Sequence, residues 1–221
     1  MDNIVLKVFV DKDNKYGNPV KIIIDEQNKI GDDERLKICR ASGFSEVVFI
    51  NNIKQNQISI FSPTREIPFA GHAVLGTVYF LNNITNSNIG YIECMNHKID
   101  ISYDNDKIWV KAKLETMPNW NFKEYDSIEL IEELNIDNTK EFKHCFVWTW
   151  IDKEKGIVRA RTFAPDWLIP EDEANGSGSM LLASKLNKEL EIHHGKGSII
   201  YARPFDRKYS EIGGKVISNI S

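Results

Sequence analysis

Phe61-Ser62-Pro63-Thr64-Arg65-Glu66-Ile67-Pro68-Phe69-Ala70-Gly71-His72-Ala73 is the stretch that decides the fold of this 221-residue chain. It holds the end of a strand, a loop bounded by prolines, and the small-residue start of a helix. The spacing of Val74, Leu75, Val78 and Leu81 predicts a helix over Gly71 to Leu81. Tyr79 and Phe80 add apolar groups on its remaining faces. A helix apolar nearly all round must be enclosed by other structure.

The same order of features returns further along. Phe61, Pro63 and Pro68 recur as Phe163, Pro165 and Pro170, and Gly71-His72 answers to Gly176-Ser177 after a slip of three residues. Leu81 then matches Leu186. A repeat of this length predicts a duplication into two similar domains, 1–110 and 111–221, with equivalent helix starts facing a shared cleft.

Outward from this pair, strands are predicted over Ile4 to Val10, Val20 to Ile24, Val47 to Ile50 and Gln57 to Phe61. Asp32 and Asp33 open a helix through Ala41, with Gly43 beyond its end. Short strands follow over Tyr91 to Cys94, Lys98 to Tyr103 and Lys107 to Ala112, then a short helix over Ser127 to Leu134. Longer strands are expected over His144 to Ile151 and Ile157 to Phe163, and a helix over Gly176 to Leu190. Strands at Ser198 to Ala202 and Lys215 to Ile220 close the chain. The fold class is α+β and rich in strands.

Composition narrows the function. The chain is 42% hydrophobic and 27% charged, as soluble globular proteins are. Its net charge of -4 and scattered arginines speak against a nucleic-acid groove, which needs clustered positive charge. The start, Met1-Asp2-Asn3-Ile4, lacks the pattern of a signal peptide. The longest apolar stretch, Ile67 to Leu81, is too short and too interrupted for a membrane helix. Cys39, Cys94 and Cys145 are odd in number and widely spaced, which fits a reducing cytoplasm better than disulfides or zinc. Neither a GxGxxG nor a P-loop pattern is present, so no metal or nucleotide cofactor is expected.

Both helix starts, Ala70-Gly71-His72-Ala73 and Asn175-Gly176-Ser177-Gly178, are built from small residues. Free N–H groups and the positive end of the helix dipole meet there, so each can hold a carboxylate. The dipole disfavours a charged His72, and a neutral imidazole is the expected state. Glu46 directly precedes an apolar strand, where partial burial would raise its pKa toward that of a useful base. Asp172 lies in an acidic loop just before the second glycine-rich start. His193-His194 has no evident third ligand and reads as a surface pair.

Taken together, Phe9-Val10-Asp11, Gly17-Asn18-Pro19, Ser45-Glu46, the Phe61–Ala73 stretch, Arg161-Thr162-Phe163-Ala164-Pro165, Glu171-Asp172-Glu173-Ala174-Asn175-Gly176-Ser177 and Gly213-Gly214-Lys215-Val216 resemble the PhzF-type, phenazine biosynthesis-like isomerases. The resemblance implies a diaminopimelate epimerase-like fold: two domains, each a barrel-like sheet around one helix, with the active site between them. It also implies a cofactor-free, homodimeric enzyme acting on a small carboxylate-bearing molecule. Glu46 would then be the general acid/base, with His72, Asp172 and Ser177 completing the catalytic set. Asn18, Ser45, Gly71 and Gly176 would be the substrate-binding positions.

This chain departs from the family pattern at Glu173 and Asn175, and its second half is short between Ile151 and Ile157. The sister epimerases use a cysteine at each helix start, but those places fall near Ala70 and Asn175 here, which speaks against a two-thiol racemase. The expected activity is movement of a proton on a cyclic amino acid-like carboxylate. The alternatives are a non-catalytic binding protein on the same scaffold, or a racemase without thiols.

Overall fold

The computed structural model describes residues 4–104, 107–167 and 169–218. The first half runs β1 (Ile4–Val8), β2 (Asn18–Ile24), α1 (Asp32–Ser42), β3 (Val47–Asn52), β4 (Gln57–Phe61), β5 (Glu66–Ile67), α2 (Gly71–Thr85), β6 (Tyr91–Cys94), β7 (His97–Asp104) and β8 (Lys107–Lys113). The second runs β9 (Asn121–Glu124), α3 (Ile128–Glu132), β10 (Cys145–Asp152), β11 (Ile157–Ala164), β12 (Ile169–Asp172), α4 (Gly176–Leu186), β13 (Leu190–His194), β14 (Ser198–Pro204) and β15 (Tyr209–Gly214), and β16 (Val216–Ser218) ends it. The expected division at residue 110 falls inside β8.

The two halves repeat one pairing scheme. In the first, β2 runs parallel to β3, β3 antiparallel to β4, and β4 parallel to β6, followed by the antiparallel pairs β6·β7 and β7·β8. In the second, β9, β10, β11, β13, β14 and β15 take the same places with the same directions. The register matches as well, with Val47 opposite Phe61 and Cys145 opposite Phe163. Glu46 and His144, each one residue ahead of its strand, are therefore equivalent positions. The halves join where β8 pairs with β15 and where β16 returns to pair with β1.

Each half packs one helix inside its sheet and one outside. The inner helix α2 is buried over most of its length, including Val74, Leu75, Val78 and Leu81. Leu75 and Leu81 are fully enclosed, and burying such a side chain contributes about 1.5–3 kcal/mol. Gly76 lets α2 close onto β2, because a Cβ there would lie 2.6 Å from Val20 Cγ1. On the outer face, α1 covers Ile23, Val47, Phe49 and Phe61, with Cys39 among them. In the second half α3 brings Ile131 against Cys145, Val147 and Phe163 in the same way.

The helix expected over Gly176 to Leu190 ends at Leu186. Asn187 adopts φ 48° and gives its N–H to Ala183 and Ser184 carbonyls, an asparagine serving as a left-handed C-cap. The chain then becomes β13, so His193 and His194 alternate across a strand. His194 is fully buried, contrary to the surface reading, with Nδ1 2.9 Å from the Glu173 carbonyl and Nε2 2.9 Å from Thr162 Oγ1. His193 pairs with Glu191 at the surface. The strands β5, β9, β12, β13 and β15 were not expected. The last, Tyr-Ser-Glu-Ile-Gly-Gly, carries two glycines that mask its β-propensity, and Gly213 is needed because the Trp109 ring lies over it. Of the strand expected over Lys215 to Ile220, residues 219 and 220 lie outside the described residues.

Candidate active site

The two glycine-rich helix starts abut. A Cβ on Gly176 would lie 3.3 Å from Gly71 Cα and 2.8 Å from Ile212 Cδ1. No side chain caps α2, whose N-cap is Ala70. The start of α4 is capped by Asn175, whose Oδ1 accepts from Gly178 N–H at 2.6 Å.

Beside this junction three polar atoms, Ser45 Oγ, Glu46 Oε2 and His72 Nε2, are buried without a well-aligned hydrogen-bond partner among the described residues. The last two lie 3.2 Å apart, but their alignment is not that of a hydrogen bond, and their side chains are only 14% and 5% exposed. The turn ahead of β3 delivers Glu46, and the first turn of α2 delivers His72. Burial alone would push the Glu46 carboxyl up, but the adjacent imidazolium outweighs it and holds the carboxyl below its ordinary range. His72 mirrors this: burial pushes it down, and the charges of Glu46 and then Asp172 carry it above its ordinary value. Both directions oppose the expectation of a raised Glu46 and a neutral His72. Neither shift was legible before the pair was known to touch.

Asp172 ends β12, and its carboxyl is pushed above its ordinary value, chiefly by burial and then by the charge of Glu46. Its Oδ1 accepts from Asn18 Nδ2 at 2.8 Å and from Ala174 N at 3.2 Å, and its Oδ2 accepts from Asn175 Nδ2 at 3.1 Å. Asn18 stands at the start of β2, so its amide ties the first half to the Asp172 loop of the second. It donates to the Ala174 carbonyl as well, at 3.1 Å.

Glu173, a departure from the family pattern, secures the same loop. Its carboxylate accepts from Lys196 N and Ser198 Oγ, and Ser198 Oγ accepts in turn from Gly17 N–H. Burial raises the Glu173 pKa.

Ser177, half-buried on α4, accepts from Trp120 Nε1 at 2.9 Å. The sequence reading missed Trp120, because it sits in a linker with no periodicity. The expected set thus comes together: Glu46, His72 and Asp172 share one electrostatic cluster, with Ser45, Asn18, Gly71, Gly176 and Ser177 around it. The cysteines stand apart from the helix starts, all buried, and burial pushes the thiols of Cys39 and Cys94 up to about 11 and about 12. None of the site residues lines the surface cavity of about 400 Å³ beside Arg159 and Arg161, whose guanidinium groups are engaged by Glu132, Glu171 and backbone carbonyls. Among the described residues no group of His, Cys, Asp and Glu is arranged to hold a metal ion, and no helix is long and apolar enough to cross a membrane.

The chain is similar to trans-2,3-dihydro-3-hydroxyanthranilate isomerases from Pseudomonas chlororaphis and Pseudomonas fluorescens, with 26% and 27% identity over 81% of this chain and 78% of each relative. Among solved structures, a PhzF-family phenazine biosynthesis protein from Enterococcus faecalis superposes with a TM-score of 0.76 at 16% identity, covering 99% of this chain and 97% of that one. A hydroxyproline epimerase from Agrobacterium vitis, with bound trans-4-hydroxy-L-proline, shares the fold at a TM-score of 0.60 and 12% identity, covering 98% and 90%. The family model of the phenazine biosynthesis-like proteins, PhzC-PhzF, matches residues 6–144. That match spans more than half of the sequence and takes in Ser45-Glu46 and the whole first helix start, and on it the chain belongs to the PhzC-PhzF, phenazine biosynthesis-like family of isomerases.

Proposed function

We propose that this protein moves a proton between carbon atoms of a small, cyclic amino acid-like carboxylate, with Glu46 as the general acid/base. The observation that carries the reading is the Glu46–His72 pair, whose buried Oε2 and Nε2 lie 3.2 Å apart at the junction of the helix starts with no well-aligned hydrogen bond among the described residues. The positive charge of His72 when protonated favours the ionised form of Glu46, the form that accepts a proton. The glutamate takes a proton from a carbon next to an enamine, carbonyl or carboxylate, and the electron pair enters the conjugated system. Glu46, having exchanged its proton with solvent, then gives a proton to a distant carbon of that system, so no oxidant or reductant is needed. Asp172, whose carboxyl burial pushes above its ordinary value, and His72 stabilise or relay charge as it shifts. The substrate carboxylate rests on the uncapped amides of α2 and on Ser177.

The test uses trans-2,3-dihydro-3-hydroxyanthranilate and related cyclic amino acids in D2O. Turnover places deuterium at a C–H position, and Glu46→Gln lowers the rate by about 10²–10⁴-fold while folding survives. Unchanged turnover in that variant removes the base assignment. A second reading, a binding protein without turnover, draws on the Asn175 cap, which engages an α4 amide that a ligand would otherwise use. It predicts a shifted melting temperature with no label incorporated. Inverted optical rotation of the same ligands would instead mark a racemase. The reading includes a cytoplasmic homodimer, which light scattering would measure as twice the mass of the chain.

A further inference from the structure

The duplicated site is chemically asymmetric. In the first half the residue ahead of β3 is Glu46, which reaches His72 on the inner helix directly. In the second half the equivalent residue is His144, which pairs with Asp166 and Trp167 in place of a residue of the inner helix. Its backbone N–H donates to Asp166 Oδ1 at 3.0 Å, its Nδ1 lies 2.8 Å from Asp166 Oδ2, and its ring stacks on Trp167 with centroids 4.6 Å apart. The approach to Ser177, the counterpart of His72, is filled by Trp120 instead. The Trp120 ring packs edge-on against Trp167 at 5.0 Å and His144 at 6.3 Å, and its N–H reaches Ser177 Oγ.

We propose that Trp120 is a positioning residue that turns the Ser177 hydroxyl into the cleft as a hydrogen-bond donor to the ligand carboxylate, with His144, Asp166 and Trp167 as its buttress. A hydroxyl oxygen that accepts from an indole still has its own proton to give. Among the described residues no protein acceptor takes that proton. The indole N–H can only donate, so it fixes the direction of the serine without taking the serine's own proton. The first half thus supplies the proton-transferring group, and the second supplies a recognition arm at the mirror position. This inference rests on the site reading above, in which Ser177 faces the ligand.

The test measures benzoate binding by calorimetry and the Trp120 indole N–H resonance by NMR, in wild type, Trp120→Phe, Ser177→Ala and the double variant. Benzothienyl-alanine at position 120, which keeps the bicyclic ring and removes only the N–H, guards against loss of packing. Each single variant, and the analogue, is expected to weaken binding about tenfold, the double variant no further than Ser177→Ala alone, and the indole resonance to move in Ser177→Ala. Wild-type binding lost in Ser177→Ala but retained in Trp120→Phe or the analogue overturns this inference alone, as do losses that add. Failure of wild type to bind benzoate, or binding indifferent to Ser177→Ala, overturns the site reading and this inference with it.

Discussion

Gly71 and Gly176 lie so close that a methyl group on Gly176 would come within 3.3 Å of the Gly71 Cα and 2.8 Å of Ile212 Cδ1. Two helices from different halves therefore present their N-termini at one point, and only residues without side chains allow it. Gly176→Ala should force Ile212 and the two helix starts apart. A destabilisation of about 1–3 kcal/mol is expected, as for overpacking elsewhere, together with weaker carboxylate binding. Urea unfolding and benzoate calorimetry measure the two effects, and an unchanged urea midpoint would show that the junction has room to spare.

The Glu46–His72 pair should make stability depend on pH from both sides. The raised His72 contributes fully below its ordinary 6.5 and loses that contribution as pH rises through its folded value. The depressed Glu46 contributes fully above its ordinary 4.5 and loses that contribution as pH falls through its folded value. The joint contribution is therefore greatest between pH 4.5 and 6.5. In Glu46→Gln burial is opposed by the charge of Asp172 alone, so the NMR titration of His72 should move to lower pH. A histidine midpoint that ignores the mutation would break the coupling.

His194 should behave in the opposite sense. Buried and hydrogen-bonded at both ring nitrogens, it has its pKa pushed down to about 3, chiefly by burial. Unfolding restores the ordinary 6.5, so its contribution is present above that pH and is lost as pH falls toward about 3. Its ring proton shifts should stay fixed from neutral pH down to about pH 4 while the protein remains folded. A midpoint near 6 would mean that the strand opens.

Asn18 bridges the halves through Asp172 and the Ala174 carbonyl, and it is almost wholly buried. Asn18→Ala leaves both acceptors short of a donor, which should cost about 1–3 kcal/mol. The carboxyl of Asp172, deprived of one of its three donors, should titrate still higher. Urea unfolding reads the first effect, and the pH profile of turnover reads the second.

The first helix start was legible because proline, glycine and an enclosed apolar helix leave their marks in order along the chain. The repeat was legible because Phe61 and Phe163 hold the same register opposite Val47 and Cys145. β15 and the end of α4 were not, since the glycines of one and the left-handed asparagine of the other carry weak local signals. Trp120 lacked any signal, because its role depends on Ser177, 57 positions away.

The sequence by itself determined which residue types stand at the two helix starts and in what order, because turn chemistry and apolar spacing act over a few residues. The protonation preferences of Glu46, His72 and His194 were decided only by tertiary structure. Burial and neighbouring charge set a pKa, and both come from residues brought together by the fold from distant parts of the chain.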